Sequence, residues 1–309
     1  MIYTVTLNPA IDKTVVIENF GAGSVNRVKS VREDPGGKGI NVSKCLQSLG
    51  ADSVAAMILA GDAGRKLEGM LRKLEIAVLP VWADGESRTN LKIIDPCKKE
   101  NTDINEPGPA VSTDLLEQLK MAIGGRVRPG DIVILSGSLP AGVDRGLYGE
   151  WTAYFRELGA CVYLDADGEP MHKGMAAIPY MIKPNNDELA ALLGKNSLTL
   201  GEMLAEGKRL HDTGIEEIVI SLGGDGALFI SKDGCYHAEG LSVPVKSTVG
   251  AGDSVVAAAA FGQVQNLSRE ERIRLCVAIG AGSVMQSGTQ PPEADLVWEL
   301  AKQVAIQKV

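Results

Sequence analysis

The run Ile132-Val133-Ile134-Leu135 is apolar at every position. A strand with one wet face alternates apolar and polar residues, so an unbroken run belongs to a sheet covered on both faces. Parallel sheets of that kind need long crossover connections, usually helices. The rest of the chain has this rhythm. Strands are expected at Ile2–Leu7, Ser53–Leu59, Asp131–Leu135, Cys161–Leu164, Ile218–Ser221 and Ala227–Ile230. Helices are expected at Ile40–Leu49, closed by Gly50, and at Gly64–Leu74, Thr113–Ile123, Leu147–Leu158, Glu188–Leu193, Asp253–Val264 and Arg269–Met285. Strands alternating with helices predict an α/β layer fold with a mostly parallel sheet. Residues 12–34 and 80–107 break the pattern, alternating polar and apolar positions without a helix. They read as small antiparallel strands forming one discontinuous lid, over a core made of 1–11, 35–79 and 108–309.

Composition narrows the function classes. At about 150 residues per domain, a chain of 309 residues holds two domains, or one large domain with an insertion. Lysine and arginine number 31 against 39 acidic residues, a net charge of −8. That is the wrong sign for sequence-independent nucleic-acid binding, but a few local cations suffice for one phosphate. The cysteines at 45, 97, 161, 235 and 276 are odd in number and form no C-x-x-C pair, which reads as reduced thiols. The three histidines stand apart from them and from each other, so no structural zinc is expected. Met1–Thr4 carries no basic n-region, and no apolar run approaches a membrane span. A soluble, cytoplasmic protein without nucleic-acid or membrane partners is expected.

Several glycine loops open helices. In Thr248-Val249-Gly250-Ala251-Gly252-Asp253, small residues precede a helix start, leaving backbone N–H groups free where the helix dipole is positive. Such a turn suits a phosphoryl group in transfer. An aspartate there repels a bound phosphate but makes sense as a general base facing a hydroxyl; the plainer alternative is a helix cap. Gly36-Gly37-Lys38-Gly39-Ile40-Asn41 is a second such loop, with neither P-loop nor dinucleotide spacing. It offers Lys38 as a cation and Asn41 as a neutral donor and acceptor. Asp12 follows the first strand, at the end of the sheet where ligands bind in α/β folds, and its carboxylate suits two sugar hydroxyls. Arg88 can fork onto a phosphate ester, with Asn90 close by. Asn185 and Glu188, three apart at a helix start, fit either a partial Mg²⁺ shell or a cap. Ser221-Leu222-Gly223-Gly224-Asp225-Gly226 ends a buried strand and fits either a nucleotide or a plain turn.

In this order the motifs resemble the ribokinase-like carbohydrate kinases, in the phosphofructokinase-B branch, over nearly the whole chain. Thr6 to Asp12, Gly36 to Val42, Ser136-Gly137-Ser138-Leu139-Pro140, Lys183 to Glu188, Ser221 to Gly226 and Thr248 to Asp253 carry the likeness. It implies a three-layer α/β/α core with a small β lid, ATP as phosphoryl donor and Mg²⁺ as metal. It also implies site residues. Asp253 would be the base, with the anion hole at Gly250, Ala251 and Gly252. Asp12, Gly37, Lys38, Asn41, Arg88, Asn90 and Ser138 would meet the sugar, Lys38 and Arg88 gripping its ester phosphate. Lys183, Asn185, Ser221, Gly223, Gly226, Thr248 and Gly252 would meet the nucleotide, and Asn185 and Glu188 the metal. A homodimer through the lid is implied too.

Gly85 to Asn90 and Thr102 to Pro109 are most similar to the 1-phosphofructokinases, with tagatose-6-phosphate kinases close. Relatives that phosphorylate fructose 6-phosphate can carry an arginine in the segment that here reads Asn101-Thr102-Asp103. The acid favours fructose 1-phosphate as acceptor. Tagatose 6-phosphate, fructose 6-phosphate and a non-catalytic sugar-phosphate sensor remain the alternatives.

Overall fold

The computed structural model describes residues 1–309. The chain opens with strands β1 (Ile2–Thr6), β2 (Ala10–Val16) and β3 (Ser30–Gly36), followed by helix α1 (Lys38–Ser48). Next come β4 (Val54–Ala60), α2 (Gly61–Lys73), β5 (Ala77–Ala83), β6 (Arg88–Asp95), β7 (Glu100–Asn105) and α3 (Thr113–Gly124). The middle of the chain holds β8 (Ile132–Ser136), α4 (Leu147–Glu157), β9 (Cys161–Asp165), α5 (Gly168–Met175), β10 (Met181–Ile182), α6 (Asn186–Leu192) and α7 (Leu200–Asp212). The last part contains β11 (Glu217–Ser221), β12 (Ala227–Ser231), β13 (Gly234–Ala238), α8 (Ala251–Val264), α9 (Arg269–Val284), α10 (Ala294–Ala301) and β14 (Ile306–Lys308).

Ten strands form one sheet in the order β14-β13-β12-β11-β10-β9-β8-β1-β4-β5. From β11 to β5 every pairing is parallel, while β12, β13 and β14 add on antiparallel. The apolar run in β8 shows why three layers result. Alternate side chains point to opposite faces, so Val133 and Leu135 join the core on one face and Ile132 and Ile134 the core on the other. Trp151 and Phe155 of α4, with Leu116 and Leu119 of α3, cover the first face. Val42 and Leu46 of α1, Val256 of α8 and Ile273 of α9 cover the second. No helix is long and apolar enough to cross a membrane.

The remaining strands form a separate sheet, β3-β2-β6-β7. It is discontinuous in sequence, as expected, but two details differ. The β2–β6 pairing is parallel, so the sheet is mixed rather than antiparallel. β5 pairs with β4 at the edge of the large sheet, so the boundary expected at residue 80 falls inside a core strand. An edge strand keeps one side wet and shows the same alternation as a lid strand. Helices α5, α7 and α10 and strands β10, β13 and β14 also lie outside the sequence expectations. For α7 a signal was present, since Thr199 and Glu202 form a capping box at its start.

Candidate active site

A cavity of about 620 Å³ lies between the carboxyl ends of the parallel strands and the small sheet, and only one of its lining residues is hydrophobic. Asp12, Gly37, Lys38, Asn41, Arg88, Asn90, Ser138, Lys183, Asn185, Glu188, Gly250, Gly252 and Asp253 all lie on its wall. A second cavity of about 690 Å³ adjoins it, lined by Gly223, Gly226, Thr248 and Ala251 together with aliphatic residues such as Leu241, Val243 and Val284. Asn185, Ser221 and Gly252 line both and mark the junction. Lys183 faces only the first cavity. A polar cavity joined to a half-apolar one suits a polyhydroxylated molecule beside a larger molecule with an apolar end.

Asp253 sits in the first turn of α8. Gly250 caps that helix at φ 83°, a left-handed conformation that a side chain would strain. The amides of Gly250, Gly252 and Asp253 have no partner in the protein, and that of Ala251 reaches Thr248 O only at 3.4 Å. Free amides at a helix start form an anion site. Asp253 itself is 6% exposed, and Asn41 Nδ2 donates to its Oδ2 at 2.8 Å. Burial and the Asp165 carboxylate push its pKa up to about 6, against the Asn41 hydrogen bond and the charges of Lys38 and Lys183. A carboxylate titrating there is ionised near neutrality and still basic enough to accept a proton. The capping alternative fails on geometry, because the Gly250 cap position carries no side chain and the Asp253 carboxylate points to Asn41.

Asp165 lies outside the motifs that carry the family likeness. It ends β9 at 2% exposure, with Lys183 Nζ 3.2 Å and Lys38 Nζ 3.8 Å from its Oδ1. Neither of its oxygens accepts a well-formed hydrogen bond. Burial pushes the Lys38 ammonium down, yet Asp165, Asp253, Asp167 and Glu188 together hold it above its ordinary value. The sequence carries a signal for it: Asp165 stands at the carboxyl end of an apolar parallel strand, where α/β folds place ligands. Lys44 is a second residue that the motifs do not point to. It is buried in α1 and donates to Pro35 O at 3.0 Å and Thr289 Oγ1 at 2.9 Å, tying the end of β3 to the loop against the Gly250 turn.

On the small sheet, Asn90 Nδ2 donates to Asp12 Oδ1 at 3.1 Å. Burial pushes the Asp12 carboxyl up, opposed by that hydrogen bond and by Lys44 and Arg88. Gly36 permits this placement, since a Cβ there would lie 2.0 Å from Asp12 Oδ2. Arg88 donates through Nη2 at 2.9 Å and Nε at 3.2 Å to Asn8 O. Asn185 and Glu188 form a complete capping box on α6: Asn185 Oδ1 accepts from the Glu188 amide at 2.7 Å, and Glu188 Oε2 from the Asn185 amide at 2.9 Å. Glu188 Oε1 is left over. No cluster of three metal-binding side chains exists, so the donor set fits a hydrated cation contacted through water and not a protein cage.

The model of the pfkB family carbohydrate kinases matches residues 5–295. The 1-phosphofructokinase of Bacillus subtilis is 33% identical, with 100% of both chains covered. That of Xanthomonas campestris pv. campestris is 38% identical over 89% of this chain and 88% of its own. The crystal structure of phosphofructokinase-2 from Escherichia coli in complex with fructose-6-phosphate superposes with a TM-score of 0.91 at 27% identity, covering 98% of each chain. Ribokinase from Thermotoga maritima gives 0.79 at 20% identity, covering 98% of this chain and 99% of its own, and shares the fold.

Proposed function

The chain belongs to the pfkB family of carbohydrate kinases, and we propose that it transfers the γ-phosphoryl group of ATP to the 6-hydroxyl of fructose 1-phosphate, giving fructose 1,6-bisphosphate. One observation carries the chemistry: a buried, hydrogen-bonded carboxylate of raised pKa stands among free helix-start amides, at the junction of a polar cavity and a half-apolar one. A non-catalytic sensor has no use for that arrangement. The acceptor is supported by the names of the curated relatives.

In this mechanism Asp253 takes the proton of the attacking hydroxyl, held in line by Asn41. The amides of Gly250, Gly252 and Asp253 stabilise the charge on the phosphoryl group as it moves. Lys38 stands 3.8 Å from Asp165 Oδ1 and within the influence of the Asp253 charge, which supports a role at the transferring phosphoryl group beside the grip on the ester phosphate that the family likeness implies. Lys183 packs against Gly252, where a Cβ would lie 3.1 Å from its Nζ, so it supports the same turn. Asp12 and Asn90 bind sugar hydroxyls, Gly37 and Ser138 line the sugar's place, and Arg88 faces the ester phosphate. Ser221, Gly223, Gly226 and Thr248 receive the nucleotide. Mg²⁺, reached through water from Asn185 and Glu188, would neutralise phosphate charge when bound.

The small sheet acts as a lid that excludes water and so limits ATP hydrolysis. Its outer face carries Val31 and Ile104, 55% and 51% exposed. A second copy of the chain would cover them, and we take the assembly to be a homodimer through the lid. Five free cysteines suit a cytoplasmic setting. The test is ADP release from Mg-ATP with fructose 1-phosphate, tagatose 6-phosphate and fructose 6-phosphate, compared by kcat/KM. The highest value is expected with fructose 1-phosphate; a higher value with either 6-phosphate overturns the acceptor.

A further inference from the structure

The inner face of the lid is ordered in rows. Strand register places Asp34, Asp12, Asn90 and Asn105 side by side across the four strands. The next row, two residues along, is Arg32, Thr14, Lys92 and Asp103. Side chains two apart on a strand share a face, and all eight residues line the first cavity. One row therefore offers carboxylates and amides, which suit hydroxyls. The other offers two cations and a hydroxyl, which suit a phosphate, and one carboxylate, Asp103, which does not. Along β6 the order Arg88, Asn90, Lys92 sets a cation on each side of the hydroxyl-binding row.

The two cations of the second row are held differently. Arg32 Nε bonds Asp34 Oδ2 at 2.7 Å, and its guanidinium packs so tightly on Gly288 that a Cβ there would lie 2.2 Å from Nη2. Its Nε is taken by its own strand and its Nη2 is packed against the core loop at Gly288. Lys92 Nζ stands 3.2 Å from Asp103 Oδ1, whose side chain is 51% exposed. A pair so open to water is weak and readily exchanged. Lys92 is thus the cation of this row held more loosely and freer to change partner.

Taking fructose 1-phosphate as the acceptor proposed above, we infer that Lys92, with Thr14 beside it, is a specificity-determining residue that holds the ester phosphate opposite Arg88, and that Asp103 competes with the phosphate for the same ammonium. The carboxylate in the row then sets affinity by competition. A dianionic ester outbids a single exposed carboxylate, whereas an unphosphorylated sugar leaves the pair closed.

The closing experiment uses the full chain and compares kcat/KM for fructose 1-phosphate and for unphosphorylated fructose, in wild type, Lys92→Met and Asp103→Asn. Losing a charge-assisted contact costs roughly 10- to 100-fold, so Lys92→Met lowers the phosphosugar-to-sugar ratio by about that factor, through KM. Asp103→Asn raises the same ratio about two- to fivefold, because an exposed pair contributes little. Opposite signs for two variants at the same pair are not what a structural role gives. An unchanged ratio in Lys92→Met, or a fall in Asp103→Asn, overturns the assignment. If a 6-phosphate proves the better acceptor in wild type, the acceptor fails, and the same ratios measured with that ester still decide the role of Lys92.

Discussion

At the core end of the cleft, Asp165 and Asp253 are 2% and 6% exposed, and both depend on neighbouring charges. At the lid end, the Asp103 side chain is 51% exposed and the Lys92 side chain 27%. Charges out of water interact strongly and cannot be rearranged cheaply. Charges facing water interact weakly and change partner easily. In the proposed mechanism the core end therefore carries the chemistry, common to every acceptor, and the lid end carries the choice of acceptor. That division also explains the opposite backbone settings: Asp253 stands on a helix start packed into the core, Lys92 on a four-stranded sheet with one wet face.

The largest expected effect tests the core end. Asp253→Asn keeps the volume and an Asn41 contact but cannot take a proton. A general base contributes about 10²- to 10⁴-fold, so kcat falls by roughly 10³ while the protein folds and KM for the phosphosugar stays close to normal. Steady-state kinetics with circular dichroism measures both, and near-normal turnover would remove Asp253 as base. A smaller effect tests the lid end. Arg88→Ala raises KM for fructose 1-phosphate by roughly 10- to 100-fold with kcat nearly unchanged, because a grip on a group remote from the reacting atoms binds ground and transition states alike. A fall in kcat of the same size would merge the two ends into one.

The smallest effect concerns pH. Asp253 is active when ionised, so kcat/KM rises as pH passes its pKa of about 6. Asp165 raises that value, whereas Lys38 and Lys183 lower it. Asp165→Asn removes the like charge and leaves both lysines, so the acid limb moves to lower pH. The gain near pH 6 is at most about twofold, since half the carboxylates are already ionised there. A pH–rate profile measures the limb, and a limb shifted upward would show that Asp165 acts chiefly by holding the lysines in place.

Much of this architecture was legible in the residues. The apolar run of β8, the glycine loops opening α1 and α8, and the order of Asp12, Lys38, Asn185 and Asp253 are local features, set by side-chain periodicity and by the backbone freedom of glycine. They were enough to read the α/β layers, the presence of a second small sheet, the family and about half of the residues lining the polar cavity. The edge strand β5 belongs to the large sheet, and its sequence does not reveal this because an edge and a lid strand have the same alternation. The parallel pairing of β2 with β6 joins segments 78 positions apart at Asp12 and Asn90, and nothing local records it.

The sequence by itself determined the kind of layers, the anion-binding turn and the aspartate within it, because those follow from neighbours a few residues apart. Only the tertiary structure decided what surrounds that aspartate. Asn41 reaches it from 212 positions away. Asp165 gathers Lys38 and Lys183, and strand register alone aligns Lys92 with Thr14 and Asp103. Charges act through space, so proton affinity and phosphate grip become defined only where the fold brings distant side chains into one cleft.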